Sequence, residues 1–394
     1  MRAISFSLLS LILLVSSTAA KTTTIGLETK EASRGVVVPL DDCHAIEEDE
    51  VFTVAITKKC RFFTGSLTTT ERQNYIDAIW CLRGKPSVLP NEEYPGVRDR
   101  VDDFVATHIN YTMTIHKNGV LLPWHRHYIY LWESALRSEC GYTGSVPYWD
   151  WTLSPDLYSN PIFTFTPTQD PPTGEQQDTS LSGDGTYNST EQSLRDPTVL
   201  TFPEGRGGGC VTTGPFQSWP VNMGPFPFGL TGPYAPLPEN AFDYNPRCLQ
   251  RNLQPSVLAA FNNVTTVERM LNAPDINTFL GVLDPSSSGV MGAHGGGHDA
   301  VGPTMADVFA SPQDPVFMLH HGNVDRLWAV WQRSESWESE RRIWALNGTA
   351  ILGNPAGEAL VNVDSVVEFG VLDAARRVGD LMNVEGGGYC YRYE

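Results

Sequence analysis

"GVMGAHGGGHDAVG", residues 289–302, sets His294 and His298 four apart, the spacing that brings two side chains onto one face of an α-helix. The three residues between them are glycines, each costing about 1 kcal/mol of helix stability relative to alanine. Local propensity does not hold this turn. A metal ion gripped by both imidazoles would supply what the glycines lack, and it would need further ligands from elsewhere in the chain.

The chain has nine histidines, and eight fall in two short windows: His108, His116, His125 and His127, then His294, His298, His320 and His321. One isolated histidine is ordinarily a surface residue or a satisfied core residue. Eight clustered ones are not explained that way. Two windows with at least three imidazoles each predict two metals. Neither window brings a cysteine or a dense carboxylate set, and imidazole donors suit copper, zinc, iron and nickel. Three ligands per metal with open positions favour a redox pair handling dioxygen over a structural zinc.

Helical patterning surrounds both windows. "TERQNYIDAIWCLRGK" (70–85) offers Thr70 as an N-cap, and "VRDRVDDFVATHINYTMTIHK" (97–117) repeats apolar residues at three and four. "PWHRHYIYLWESALRSEC" (123–140) places Pro123 at a first helical position and an apolar stripe through Ile129, Trp132 and Leu136. Residues 154–250 are rich in Pro, Gly, Ser and Thr and read as a long irregular stretch. Helical character returns over 255–282 and at "DPVFMLHHGNVDRLWAVWQRS" (314–334). The expectation is a mainly α protein: a central four-helix bundle carrying six imidazoles inward, with long irregular loops and few short strands.

The first twenty residues, "MRAISFSLLSLILLVSSTAA", carry one positive charge, an apolar run and small residues at Thr18 and Ala20. They read as a secretory signal peptide, leaving 21–394 as a single metal-binding domain whose two helical blocks are halves of one site. The run is too short to span a bilayer. A formal net charge of −18 gives no electrostatic footprint for nucleic acid. Four Asn-x-Thr sequons, at Asn110, Asn188, Asn263 and Asn347, agree with the secretory route. Seven scattered cysteines allow up to three disulfides and one free thiol, with the pairing open. An oxidising compartment is consistent with copper.

Two motifs then resemble a known family. "HKNGVLLPWHRHYIYLWE" (116–133) looks like the copper A signature of tyrosinases, catechol oxidases and molluscan haemocyanins, and "DPVFMLHHGNVD" (314–325) looks like their copper B signature. "HGGGH" supplies the preceding copper B pair, and the Tyr391-x-Tyr393 tail is similar to the tyrosine motif that closes the family's core. The resemblance implies copper A on His108, His116 and His125, and copper B on His294, His298 and His321. Adjacent helical residues point about 100° apart, so His320 is expected beside the site rather than on the metal, and His127 in a structural role. Asp325, four past His321, is either an acceptor orienting an imidazole or half of a salt bridge.

The implied activity is oxidation of o-diphenols and o-aminophenols to o-quinones or quinone-imines, with two coppers as cofactor and O2 as co-substrate. Monophenol hydroxylation is expected to be slow. Relatives that do it place an asparagine directly after the first copper B histidine, with a glutamate holding a water. Here Gly295 stands in that place, and no glutamate lies between Glu268 and Glu335. Asp299 is the acid nearest the ligands and the candidate base. Val308 matches the gate position, where a valine leaves the entrance open to bulky substrates. Thr114 stands where some relatives carry a cysteine crosslinked to a copper A histidine, so no such crosslink is expected. A tailoring oxidase of fungal secondary metabolism fits the same residues. A haemocyanin-like oxygen carrier is the reading from another class, and the roughly 60 residues after Trp331 are short for its extra domain.

Overall fold

The computed structural model describes residues 67–153, most of 156–163, 208–226, most of 232–286, 291–334 and most of 339–393, together with the strands at 59–61, 167–169 and 176–178. All of these belong to one compact unit. The expected signal peptide and Asn188 lie outside the described residues.

Among the described residues ten α-helices carry the framework: α1 (Thr69–Arg83), α2 (Arg100–Ile115), α3 (Leu121–Cys140), α4 (Pro255–Phe261), α5 (Val264–Leu271), α6 (Ile276–Leu283), α7 (Ala293–Val301), α8 (Pro303–Ala306), α9 (Val316–Gln332) and α10 (Ser339–Ile343). The helical run expected over 255–282 is three short helices, each opened by its own signal. Pro255 starts α4, and the Asn263 and Asp275 side chains cap α5 and α6. Helix α1 begins earlier than expected. Thr68, not Thr70, is its N-cap, and Glu71 returns the bond to the Thr68 amide in a capping box. Helix α3 likewise starts at Leu121, so Pro123 sits inside its first turn, where a missing N–H costs nothing.

Helices α2, α3, α7 and α9 form the bundle: α3 packs on α9 and on α2, and α7 on α9. Their facing sides are apolar, with Phe104, Trp124, Tyr128, Ile129, Phe317 and Trp328 fully buried among them. The described strands are two or three residues long and pair only two by two. One pair, Lys59–Arg61 alongside Tyr391–Tyr393 in parallel, holds the C-terminal tail. Disulfides join Cys81 to Cys140, clamping α1 to the end of α3, and Cys210 to Cys248. Cys390 is also disulfide-bonded.

Candidate metal centre

Helix α2 carries His108 within its length and His116 as its C-cap; α3 carries His125, α7 carries His294 and His298, and α9 carries His321. One ring nitrogen from each of His108, His116 and His125 lies within 4.8 Å of the others, and the same holds for His294, His298, His320 and His321. The two clusters meet face to face. His125 stacks on His321 with ring centroids 4.4 Å apart, and His116 lies parallel to His294 at 6.2 Å.

In the first cluster every ring is fixed through Nδ1. His116 donates to the Thr112 carbonyl at 2.9 Å and His125 to the Leu121 carbonyl at 2.8 Å, each four residues back; His108 donates to Phe309 at 2.7 Å. A carbonyl only accepts, so Nδ1 holds the proton and Nε2 keeps its lone pair. The Nε2 atoms of His108 and His125 are buried without a hydrogen-bond partner. Unpaired buried polar atoms are costly, and three convergent lone pairs are what a cation requires.

The second cluster is tighter. The Nε2 atoms of His294, His298 and His321 lie 3.2–3.4 Å apart. His298 spends its Nδ1 proton on the Met305 carbonyl at 2.8 Å, and His294 Nδ1 faces the Asp284 carboxylate at 3.3 Å. At most His321 can place a proton among the three. The lone pairs repel unless a positive charge sits between them, so this donor set fits a metal.

Burial sets the charge state of these rings. It holds the pKa values of His108, His125, His298 and His321 well below the usual imidazole range and that of His116 at about 4, with the neighbouring imidazoles adding to the effect. Neutral imidazole is the form that ligates.

His320 belongs to the second cluster by distance but not by chemistry. The Trp151 indole N–H donates to His320 Nδ1 at 3.2 Å. That occupies the lone pair a neutral ring would offer a metal, so His320 is a packing neighbour. His127 is held at both nitrogens, by the Tyr389 hydroxyl at 2.8 Å and the Asp373 carboxylate at 2.7 Å. Asp325 is half of a buried salt bridge. It takes the Arg126 guanidinium at 2.5 Å and both tail hydroxyls, of Tyr391 and Tyr393, while Arg126 lies 3.7 Å over the Trp328 ring. The tail is thereby locked to α3 and α9 through one buried charge pair.

The glycines of α7 divide by function. A Cβ at Gly296 would lie 2.5 Å from Phe261 Cβ, and one at Gly297 would lie 2.2 Å from the His320 ring. Both are close-packing requirements. Only Gly295 faces space, with Met291 Cγ at 3.4 Å its nearest neighbour. Asp299 lies one turn beyond Gly295 on α7, buried. Val308 is partly buried against a satellite core that includes Ile109, Phe226 and Phe309. Thr114 is exposed and donates to the Tyr111 carbonyl.

A family model, the common central domain of tyrosinase, matches residues 98–334, which span all six convergent histidines. The chain belongs to the tyrosinase family. A type 3 dicopper centre is what that family implies, and the two imidazole clusters are where it fits. Among curated tyrosinase-family relatives, the N-acetyl-6-hydroxytryptophan oxidase of Emericella nidulans is 58% identical over 337 residues, covering 84% of this chain and 90% of that protein. Tyrosinase P of Aspergillus terreus is 48% identical with the same coverage. A glycine-to-asparagine variant of the Thermothelomyces thermophila polyphenol oxidase superposes with a TM-score of 0.75 at 35% identity, covering 86% of this chain and 90% of that one.

Three residues of this tyrosinase-family centre escaped the sequence reading. Asp284 is buried, lies against His294 and accepts the Lys117 amide at 3.1 Å. Burial works to raise its pKa, but the His294 ring and Lys117 hold it below the usual carboxylate value, so it stays ionised. Its place ten residues before His294 at the end of α6 gives no pattern to read. Phe317 is fully buried, stacks on His321 at 4.2 Å and touches His108, His125 and His298. That one was legible, since it precedes His321 by one turn. Trp151, in the loop after α3, carries no signal at all.

Proposed function

We propose that this chain is a copper-dependent oxidase that uses O2 to oxidise a small hydroxylated aromatic metabolite, an o-diphenol, an o-aminophenol or a hydroxyindole, to the corresponding quinonoid product. The observation that carries the reading is the pair of facing imidazole triads, with their ring nitrogens converging. His108, His116 and His125 would hold one copper, and His294, His298 and His321 the other. When bound, the copper pair supplies two-electron redox chemistry between substrate and O2.

The chain's own residues do the rest. Backbone carbonyls and Asp284 hold the Nδ1 side of every ligand ring except His321, which turns their Nε2 atoms inward. Phe317 and the surrounding apolar core exclude water. Gly295 leaves room for a flat ring beside the His294–His298 turn, and Val308 does not narrow the approach. Asp299, on the Gly295 side of α7, is the group we assign to taking a phenolic proton.

A relative 58% identical that acts, by its name, on a hydroxylated tryptophan supports the tailoring reading over a general polyphenol oxidase. Secretion is part of the same proposal. It is supported by the leader-like first twenty residues, the sequons and the disulfides, which persist in oxidising compartments. Oxygen uptake by the copper-loaded chain is the test, with tyrosine, a catechol, an o-aminophenol and a 6-hydroxyindole compared. Turnover of any of the last three ahead of tyrosine is expected. Reversible oxygen binding without turnover would instead make it a carrier.

A further inference from the structure

Next to the first imidazole triad stands Trp124, fully buried, its ring 5.0 Å from His125 and 6.1 Å from His108. Three aromatic directions lead away from it. Tyr128 stacks on it at 4.9 Å, Phe369 at 5.4 Å, and Tyr111 lies at 6.4 Å. The three differ in where a proton can go. Tyr128 is sealed inside and donates its hydroxyl to the Phe104 carbonyl, which cannot take the proton away. Phe369 has no ionisable group, and its ring is much harder to oxidise than an indole or a phenol. Tyr111 reaches the surface, and its hydroxyl donates to the exposed Glu368 carboxylate at 3.1 Å. Glu368 also receives the Trp124 indole N–H on its backbone carbonyl at 2.9 Å, so one residue ties both rings together.

We propose that Trp124 and Tyr111 form an escape relay that drains oxidising equivalents from the centre to the surface when oxygen is activated there and no organic substrate is present. The relay rests on the oxidase reading given above. Its balance is one electron and one proton per event. With the metals bound, Trp124 would give one electron to the centre while its indole nitrogen keeps its proton, hydrogen-bonded to the Glu368 carbonyl. Tyr111 then gives an electron to the oxidised indole, and its phenolic proton passes to the Glu368 carboxylate. The result is a neutral tyrosyl radical at the surface beside a protonated Glu368. A solution reductant of the thiol or phenol class returns the hydrogen atom. Burial and the adjoining Glu368 carboxylate raise the Tyr111 pKa, so the ring is a phenol at neutral pH and must lose its proton as it is oxidised. The purpose is chemical protection: without a route outward, the equivalents oxidise the ligand imidazoles or Trp124.

The test uses the copper-loaded chain treated with hydrogen peroxide in the absence of phenols. It is rapidly frozen for paramagnetic resonance and then digested for peptide mapping of oxidised residues. A tyrosyl signal is expected in the wild type and is lost in Tyr111→Phe. That variant should show more oxidation at Trp124 and His125 and fewer turnovers before inactivation, with unchanged catechol kcat and unchanged Tm. Glu368→Gln should lower the radical yield in the same way, and Tyr389→Phe should leave it intact. A signal that survives Tyr111→Phe, or no signal from a protein that oxidises catechol, overturns the relay alone. A copper-loaded protein that oxidises no aromatic substrate overturns the oxidase reading and the relay together.

Discussion

The two imidazole triads do the same geometric job with different support. In the first, His116 and His125 lean on carbonyls one turn back in their own chain segment, and only His108 reaches across the fold, to the Phe309 carbonyl. In the second, the partners lie outside the ligand's own helix: Met305 on α8 for His298, Asp284 at the end of α6 for His294, and the Trp151–His320 pair behind the glycines. Two of the first three rings are held within their own segment, whereas the supports of the second triad come from neighbouring elements. The second half should therefore be the easier to break selectively by changes away from the ligands.

Removing a ligand has the largest effect and should not distinguish the halves. His125→Ala and His298→Ala are each expected to lose one copper or all activity, read by metal analysis against two coppers in the wild type. His320→Ala should keep both, because the Trp151 bond has already taken its lone pair. Loss of a copper in His320→Ala with retention in His321→Ala would reverse the assignment of that pair.

Acidity acts on both halves at once. Burial keeps His108, His116, His125, His298, His320 and His321 neutral below the ordinary imidazole pKa, whereas in the unfolded chain they protonate near 6.5. Between the two values the unfolded state binds more protons, so stability rises with pH through that window and levels off above it. Asp99, with its carboxyl pushed up to about 7 by burial, and Asp307, also raised by burial, work the other way, but as two groups against six. The Tm of the metal-free protein should fall as pH drops from 7 towards 5. The copper-loaded protein should fall further, since protons compete with the metal. A Tm that rises on acidification would mean the rings are charged in the fold.

Asp284→Asn separates the halves. Changing a partner behind a metal ligand typically costs about 10–100-fold in affinity, and here the loss should fall on the second copper while the first stays bound. Equal loss of both coppers on chelator titration would show that Asp284 supports the fold rather than His294.

This asymmetry also explains what could be read from the residues. The helices, the four-helix centre and the two histidine windows were legible because each rests on spacing: 3.6-residue apolar periodicity and the four-residue step from His294 to His298. The caps were not: α1 is capped by Thr68 rather than Thr70. Trp151 and the Arg126–Asp325–Tyr391 lock join residues far apart in sequence, and Asp284 meets His294 across the join between two helices at a spacing of no helical period, so no local pattern foretells these pairings. The tail's two tyrosines were visible as a motif, yet Asp325 read equally well as an imidazole partner until Arg126 was seen beside it. The glycine triplet was legible as an anomaly but not as three different requirements.

Those glycines supply the smallest and sharpest test. A methyl group at Gly297 would enter the His320 ring; overpacking of this kind typically costs about 1–3 kcal/mol. Gly297→Ala should therefore lower the Tm and loosen the second copper. At Gly295 the nearest atom to an added Cβ is the flexible end of Met291 at 3.4 Å, so a side chain there should be tolerated by the fold. It would project into the space kept for substrate instead. Gly295→Asn puts an amide beside His294, where it can orient a water or a phenolic oxygen and ease removal of the phenol proton. General-base assistance spans about 10²–10⁴-fold when complete, and an amide acting through another group should recover only a small part of it. The expected result is a modest rise in the monophenol-to-diphenol rate ratio, with unchanged Tm and unchanged copper content. If wild-type protein already oxidises tyrosine as fast as the matching catechol and without a lag, the proton is leaving by another base. Asp299→Asn, which should then abolish the tyrosine reaction while sparing the catechol one, would identify it.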